Sequence, residues 1–496
     1  MNRWLSRAIT AVRASAGGLL LGVSSAVPGC PASADDGLVK RAAESQQRAV
    51  AFFHDQVAVN GGYVYQVSSD LKWREGEGDA GETTVWVQPP GTPAVGLAYI
   101  EAYRRTGDQY LLDAARDTAT CLIKGQLHSG GWQNHIDFES PLREKMAYRV
   151  DGPPRKKARN WSSFDDNQTQ AALRFLMTLD QTLKFQDKRL HEVVETALAG
   201  VLRNQFPSGA WAQGFDELDL TQKFPIQPAR YPNDWPRKHP GGDYWRFYTL
   251  NDNALVHVLE TMWLAGEIYG DQRYRQSALQ AADFLILAQM PEPQPAWAQQ
   301  YNTDMEPIWA RKFEPPAVTG GESQQVIETL MDVATWTGDT KYLKPIEAAL
   351  AYLERSQLPS GRMARFYELK TNRPLYFNRQ YELTYDDNDL PTHYGFITPS
   401  KLKRLRVRYE QLKTLTSQQL LEVGQRQRQR EALQSPSDDK IQTIIAAMDD
   451  RGAWIERGKM RSIKAATGEI DVISSATFIE HLDQLSRYLA ARRPGS

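Results

Sequence analysis

The chain has 496 residues, with 59 Lys and Arg against 60 Asp and Glu, 41% hydrophobic residues and 24% charged ones. That balance excludes a wholly disordered chain, and it leaves no basic excess for general nucleic-acid binding. The 13 Trp, 21 Tyr and 16 Phe suffice for a large core or for a face that stacks on sugars.

Residues 1–34 read as an export signal. Arg3, Arg7 and Arg13 form a positive start, Leu19, Leu20 and Leu21 centre a short apolar stretch, and Ala32-Ser33-Ala34 is a small-x-small cleavage site. The expected location is secreted or periplasmic. Val27-Pro28-Gly29-Cys30 loosely resembles a lipobox, which would anchor the chain at Cys30. No segment is apolar over 18 residues, so no membrane span is expected. Cleavage after Ala34 leaves Cys121 alone, in the apolar run Thr120-Cys121-Leu122-Ile123, where it reads as a buried small hydrophobe. No Cys/His cluster has zinc spacing.

From residue 107 onward the chain repeats. Asp108, Asp187, Asp271 and Asp339 are each followed 18 residues later by a glutamine: Gln126, Gln205, Gln289 and Gln357. A Gly-x-Trp or similar turn follows, as in Gly130-Gly131-Trp132, Gly209-Ala210-Trp211, Trp297 and Gly361-Arg362-Met363. The repeats recur at 79, 84 and 68 residues. Between Asp and Gln the apolar residues fall at helical spacing, as in Tyr342, Ile346, Ala349, Leu350 and Leu353. Further helical runs lie between the units, at 170–183, 253–269 and 323–336. A copy one residue off register ends at Tyr63, and another ends at Gly452-Ala453-Trp454. Helical hairpins repeated in this way predict an all-α fold, an (α/α) toroid whose long loops form a cleft on one face. The expected organisation is signal 1–34, toroid 35–400 and a helical extension 401–496 packed on the toroid. Residues 401–430 carry a charge of +7 and read as one long amphipathic helix.

Three clusters carry chemistry. Phe164-Asp165-Asp166-Asn167 and Leu250-Asn251-Asp252-Asn253 each open a helical run, one repeat apart. An acid there commonly caps the helix. In a toroid, however, equivalent helix starts lie on one rim, so Asp165, Asp166 and Asp252 are expected to face a common cleft. Converging hard oxygens suit calcium, and paired carboxylates equally suit a glycosidase. The third cluster is basic: Arg362, Arg365, Arg373 and Arg379 among aromatics, with Arg311 and Glu314 as a further charged pair. Arginines beside aromatic faces fit carboxylate recognition, and a salt-bridged β-hairpin is the plainer reading. Trp132, Trp211 and Trp297 are candidate substrate-binding surfaces.

The ordered motifs Gly130-Gly131-Trp132, Phe164-Asp165-Asp166, Gly209-Ala210-Trp211-Ala212-Gln213, Asn251-Asp252-Asn253-Ala254, Trp297-Ala298-Gln299, Arg311-Lys312-Phe313-Glu314-Pro315, Glu322-Ser323, Arg365-Phe366-Tyr367-Glu368-Leu369 and Asn378-Arg379 resemble those of the family 10 polysaccharide lyases, the pectic acid lyases. The resemblance spans roughly 126–396. It implies calcium-dependent β-elimination on polygalacturonate or a related acidic polysaccharide. It implies Asp252 and Asp165, with Asp166, at the metal, Arg379 as the base, and Arg365 and Arg311 near bound carboxylates. The sequence departs from the family in Leu390-Pro391-Thr392-His393-Tyr394-Gly395-Phe396, which lacks an arginine pair. It departs again in a long loop between Trp211 and Tyr248, with Lys223, Arg230, Arg237, Lys238 and Arg246. The rival readings are a toroid glycosidase using Asp165 or Asp166 with Asp252, a terpenoid cyclase suggested by the Gln-Trp repeats, and an inactive sugar-binding toroid. A monomer is expected.

Overall fold

The computed structural model describes residues 35–216, 224–433, 435–462 and 468–492. Residues 1–34, the segment expected to be an export signal, with Cys30, lie outside the described residues, as does Lys223. In chain order the helices are α1 (Asp35–Phe52), α2 (Thr92–Thr106), α3 (Gln109–Lys124), α4 (Gln168–Thr182), α5 (Lys188–Arg203), α6 (Ala254–Tyr269), α7 (Gln272–Leu287), α8 (Gly320–Thr337), α9 (Ile346–Arg355), α10 (Leu402–Leu412), α11 (Ser417–Leu433), α12 (Asp438–Ala446) and α13 (Ser475–Ala490). No helix among the described residues is long and apolar enough to cross a membrane.

The helices form an (α/α) toroid. Through α9 the inner members α2, α4, α6 and α8 alternate along the chain with the outer members α1, α3, α5, α7 and α9, and outer α12 with inner α13 makes a further pair. Inner α4 and α6 are buried nearly all round, whereas outer α3 and α5 bury one face. Inner neighbours pack side by side, α13 on α2, α2 on α4 and α4 on α6. A stack of Trp263 on Trp336, with ring centroids 5.3 Å apart, joins α6 to α8. Residues 401–496 supply members of the ring, since α13 packs on α1, α2 and α12. Strand Ile470–Ser474 pairs antiparallel with Gln66–Ser68, which ties the two ends of the ring together.

The repeat has a hydrogen-bonding cause. Each glutamine amide bridges its own turn to a neighbouring segment: Gln126 to Gly130 and Val193, Gln205 to Gly209 and Ser277, Gln289 to Pro295 and Pro345. Asp187, Asp271 and Asp339 cap the following helical turns through their side chains. The indole N–H of Trp132, Trp211, Trp297 and Trp454 donates back to a carbonyl of the preceding helix, at Leu122, Val201, Leu285 and Ile444. The same residues hold the rim. The carbonyls of Tyr63, Trp132, Trp211 and Trp297 accept from Trp86, Ser163, Thr249 and Thr319, each just before an inner helix. Short antiparallel ladders then fix those helix starts on one face, such as Ser162–Ser163 with Gly214–Phe215 and Tyr248–Thr249 with Gln300–Tyr301.

One expected element divides. The expected single helix over 401–430 forms as two, α10 and α11, with α10 packed on α8 and α9 and α11 packed on α8. The basic excess of α10 is spent in ion pairs, Arg404 with Glu328, Arg406 with Glu347 and Glu354, and Arg408 with Asp332. Cys121 is buried as expected, and burial pushes its thiol up to about 12.

Candidate active site

The two acidic turns share one backbone geometry. Asp165–Asn167 and Asn251–Asn253 are 3₁₀ turns whose last two residues are left-handed, with φ of 43° and 64° at Asp166 and Asn167, and 50° and 59° at Asp252 and Asn253. Asp and Asn tolerate this region better than other non-glycine residues, at about 1–2 kcal/mol each. Neither Asn167 nor Asn253, the N-caps, makes a side-chain cap bond. The turns therefore do not spend their acids as caps. They bring carboxylate oxygens of Asp165, Asp166 and Asp252 within 4.8 Å of one another.

The partners of these acids differ. Asp252 Oδ2 accepts from Arg311 Nη2 at 3.0 Å, and Arg311 also pairs with Glu314, whose side chain is fully buried. Asp166 Oδ2 accepts from Gln88 Nε2 at 2.9 Å, while Asp165 Oδ1 is buried with no partner. Burial, then the charges of Asp165 and Glu77, push Asp166 up to about 6. Burial, then Asp166 and Asp165, push Asp252 up to about 8. Asp165 is also raised, mainly by burial. Burial works against the Arg311 charge, but Glu314 and Asp252 more than offset it and hold the guanidinium above its ordinary value. Three crowded acids facing one arginine leave a local excess of negative charge.

Arg365 stands on the other side. Its Nη1 donates to Tyr394 Oη at 3.0 Å and lies 3.5 Å from Glu322, and its Nε donates to Gly395 O. Tyr394 Oη donates in turn to Glu314 Oε1 at 2.9 Å, which connects Arg365 to Arg311 through one hydroxyl and one carboxylate. Gln299 and Asn251 complete this network. Tyr394 thus occupies the region where the sequence lacks the arginine pair.

The remaining candidates fall elsewhere. Arg379 is exposed, and its Nε pairs with Asp389 at 3.2 Å. Arg362 donates to Ile397 O, and Arg373 lies over the Tyr385 ring. Arg362 and Arg373 thus make a backbone hydrogen bond and a ring contact beside the antiparallel strands Phe366–Glu368 and Pro374–Phe377, and of these three arginines only Arg379 makes an ion pair among the described residues. The tryptophans correct an expectation. Trp132, Trp211 and Trp297 are 0%, 1% and 0% exposed and present no face to a sugar. Their indole N–H groups are occupied within the repeat, so they position the rim rather than touch a ligand. In the long loop, Arg230 pairs with Glu306, while Arg237 and Arg246 lie over Trp235 and Trp161.

Sequence reading missed Gln88, Tyr65 and Tyr244. Tyr65 is raised by burial and then by the charges of Glu77 and Asp166. Tyr244 is raised by burial too, with Arg311, Asp165 and Asp252 acting on it. The signal for Gln88 was positional: it precedes α2 as the acidic turns precede α4 and α6.

The fold and the rim together define a toroid with an acidic, arginine-flanked cleft. Residues 126–363 match the family model for pectic acid lyase, so the resemblance drawn from the motifs holds over that segment. Among solved structures, a mutant of the family 10 polysaccharide lyase from Cellvibrio cellulosa, in complex with trigalacturonic acid, aligns with 65% of this chain and 98% of its own, at 18% identity and a TM-score of 0.45. Cellobiose 2-epimerase from Spirochaeta thermophila aligns with 92% and 99%, at 14% identity and 0.44. A D-mannose isomerase aligns with 93% and 99%, at 12% and 0.45. No curated protein matches the chain.

Proposed function

We propose that the protein is an exported polysaccharide lyase that cleaves polygalacturonate, or a related acidic polysaccharide, by calcium-assisted β-elimination. The observation that carries this reading is the convergence of Asp165, Asp166 and Asp252 beside Arg311. These residues fit a calcium ion: the donors are hard oxygens, Asp165 Oδ1 is buried without a partner, and burial raises all three acids, with neighbouring aspartates adding to Asp166 and Asp252. When bound, calcium would neutralise the uronate carboxylate and so acidify the proton on the adjoining carbon.

The protein's own groups divide the remaining work. Arg311 Nη1 and Arg365 Nη2 donate to no protein group among the described residues, and they are assigned to the substrate carboxylate. Glu314 and Tyr394 hold the two guanidinium groups in place. Arg379 is assigned as the group that takes the C5 proton. Arg379 pairs with Asp389 at 3.2 Å, a contact it has to leave to reach a substrate.

The test is ultraviolet absorbance on polygalacturonate, with calcium or with chelator. A 4,5-unsaturated product absorbs, and the signal is expected to need calcium and to vanish in Arg379→Ala. New reducing ends without absorbance would transfer the assignment to a hydrolase using the aspartates. Export is tested by the mass of the mature chain, expected to begin at Asp35, or at a lipidated Cys30 if the lipobox is used.

A further inference from the structure

Below the aspartates the ring encloses a cavity of about 650 Å³, a size that holds small ligands. Its wall runs from Pro90, Asp166 and Asp252 at the rim down to Arg105 in the last turn of α2. At about 1.5 Å per residue, the helix between Pro90 and Arg105 gives a depth of about 20 Å. At the deep end Arg105 and Arg487 both pair with Asp483, at 2.8 and 2.9 Å. Much of this wall comes from α2 and α13, outside the segment that matches the family.

Four side chains lining the cavity hold buried polar atoms with no partner: Tyr65 Oη, Gln88 Oε1, Asn167 Oδ1 and Nδ2, and Glu322 Oε2. Gln88, Asn167 and Glu322 are 7%, 5% and 6% exposed. Each such atom costs about 1–3 kcal/mol, and native proteins keep few of them. Several around one cavity point to a polar guest. Gln88 Oε1 and Glu322 Oε2 accept only, whereas the Tyr65 hydroxyl and the Asn167 amide both donate and accept. The guest therefore carries several O–H groups together with acceptor oxygens. Ala98, Leu97 and Ile479 add apolar surface suited to the C–H face of a sugar ring.

We propose that the cavity is a subsite for the terminal sugars of an acidic saccharide, so that the protein works at chain ends or on short oligosaccharides. The inference rests on the lyase reading for the course of the substrate past the aspartates. The unpartnered atoms on the cavity wall stand without it. An internal stretch of polymer would have to leave through the deep end, where the Arg105–Asp483–Arg487 pairs lie.

The experiment is calorimetric titration of the full chain with trigalacturonate in calcium, alongside viscosity and absorbance on polygalacturonate. Tyr65→Phe is expected to weaken trigalacturonate binding by about tenfold. Ala98→Trp, which fills the cavity from α2, is expected to weaken it by more than about a hundredfold. Both variants should keep the wild-type calcium affinity, and neither should lower the melting temperature, since Tyr65→Phe removes an unpartnered buried hydroxyl. Absorbance should rise well before viscosity falls, with short products. Binding lost in the variants without any absorbance in the wild type would overturn the lyase reading and keep the subsite. Normal absorbance, with trigalacturonate binding unchanged in both variants, would overturn the subsite and keep the lyase. Wild type that binds no trigalacturonate, or viscosity that collapses first, also overturns the subsite. Should Ala98→Trp not fold, Tyr65→Phe decides.

Discussion

The turns before α4 and α6 have the same backbone and differently partnered acids. At the α6 turn, Asn251 is hydrogen-bonded to Gln299 and Asp252 is paired with Arg311. At the α4 turn, Asp165 keeps an unpartnered buried oxygen, and Asp166 has only a neutral amide, that of Gln88. One turn has a guanidinium beside its acid, brought from elsewhere in the chain, and the other does not. Repetition supplies the geometry, and the copies differ at Asp165 and Asn251.

The sharpest way to break this comparison is to remove an acid from either turn. Asp252→Ala and Asp166→Ala are each expected to lower turnover by about a thousandfold, near 4 kcal/mol of barrier, with calcium binding lost in calorimetry. Wild-type turnover in either variant would show that the two turns do not act together. Next in size, Arg311→Ala strands the buried Glu314 and is expected to cost about 3 kcal/mol in urea denaturation. Gln88→Ala, at the other turn, is expected to cost only about 1 kcal/mol. Equal losses would erase the asymmetry. Trp211→Phe removes one buried indole hydrogen bond and some packing, for about 2 kcal/mol of stability with KM unchanged. A raised KM at unchanged stability would return Trp211 to the substrate.

Protonation provides a gentler test. Asp166 and Asp252 sit above their unfolded value of about 3.9. Their contribution to stability is therefore complete below that value, and it is lost as pH rises through about 6 and then about 8. Metal-free protein should lose stability across that window, and calcium should flatten the slope. Calcium affinity should fall as pH is lowered from 8 to 6, since protons compete for the same oxygens. A flat profile without metal would mean that neither burial nor the neighbouring charges raise these acids. The smallest effect is expected of Asp165→Asn, which makes the α4 turn resemble the α6 turn. It should raise the metal-free melting temperature by about 2–4 °C.

Much of the fold was legible because its cause is local. The Asp-to-Gln spacing encodes a helix with a cap at one end and a glutamine clamp at the other, and of the terminal copies Trp454 keeps the indole bond to its preceding helix and Tyr63 keeps the carbonyl bond at the rim. The clustering of Asp165, Asp166 and Asp252 was legible for the same reason, since equivalent turns of a ring share a rim. The tryptophans were misread because an aromatic at the end of a repeat looks alike whether it stacks on a sugar or packs on the helix before it. Only the carbonyls of Leu122, Val201 and Leu285 distinguish the two. The basic cluster was only partly legible. Arg365 turns toward Tyr394 and Glu322, while Arg379 pairs with Asp389, and both choices depend on residues far along the chain or across a loop.

The sequence by itself determined the toroid, the paired acidic turns and the similarity to pectic acid lyases over 126–363, because these follow from periodicity and short motifs. The tertiary structure alone decided which acid is neutralised and that Gln88 and Tyr65 join the site. It also decided that α2 and α13 wall a cavity beneath the aspartates. These outcomes depend on contacts between residues from 59 positions apart, as in Asp252 and Arg311, to 378, as in Arg105 and Asp483, and charge and burial at such contacts are set only once the ring has closed.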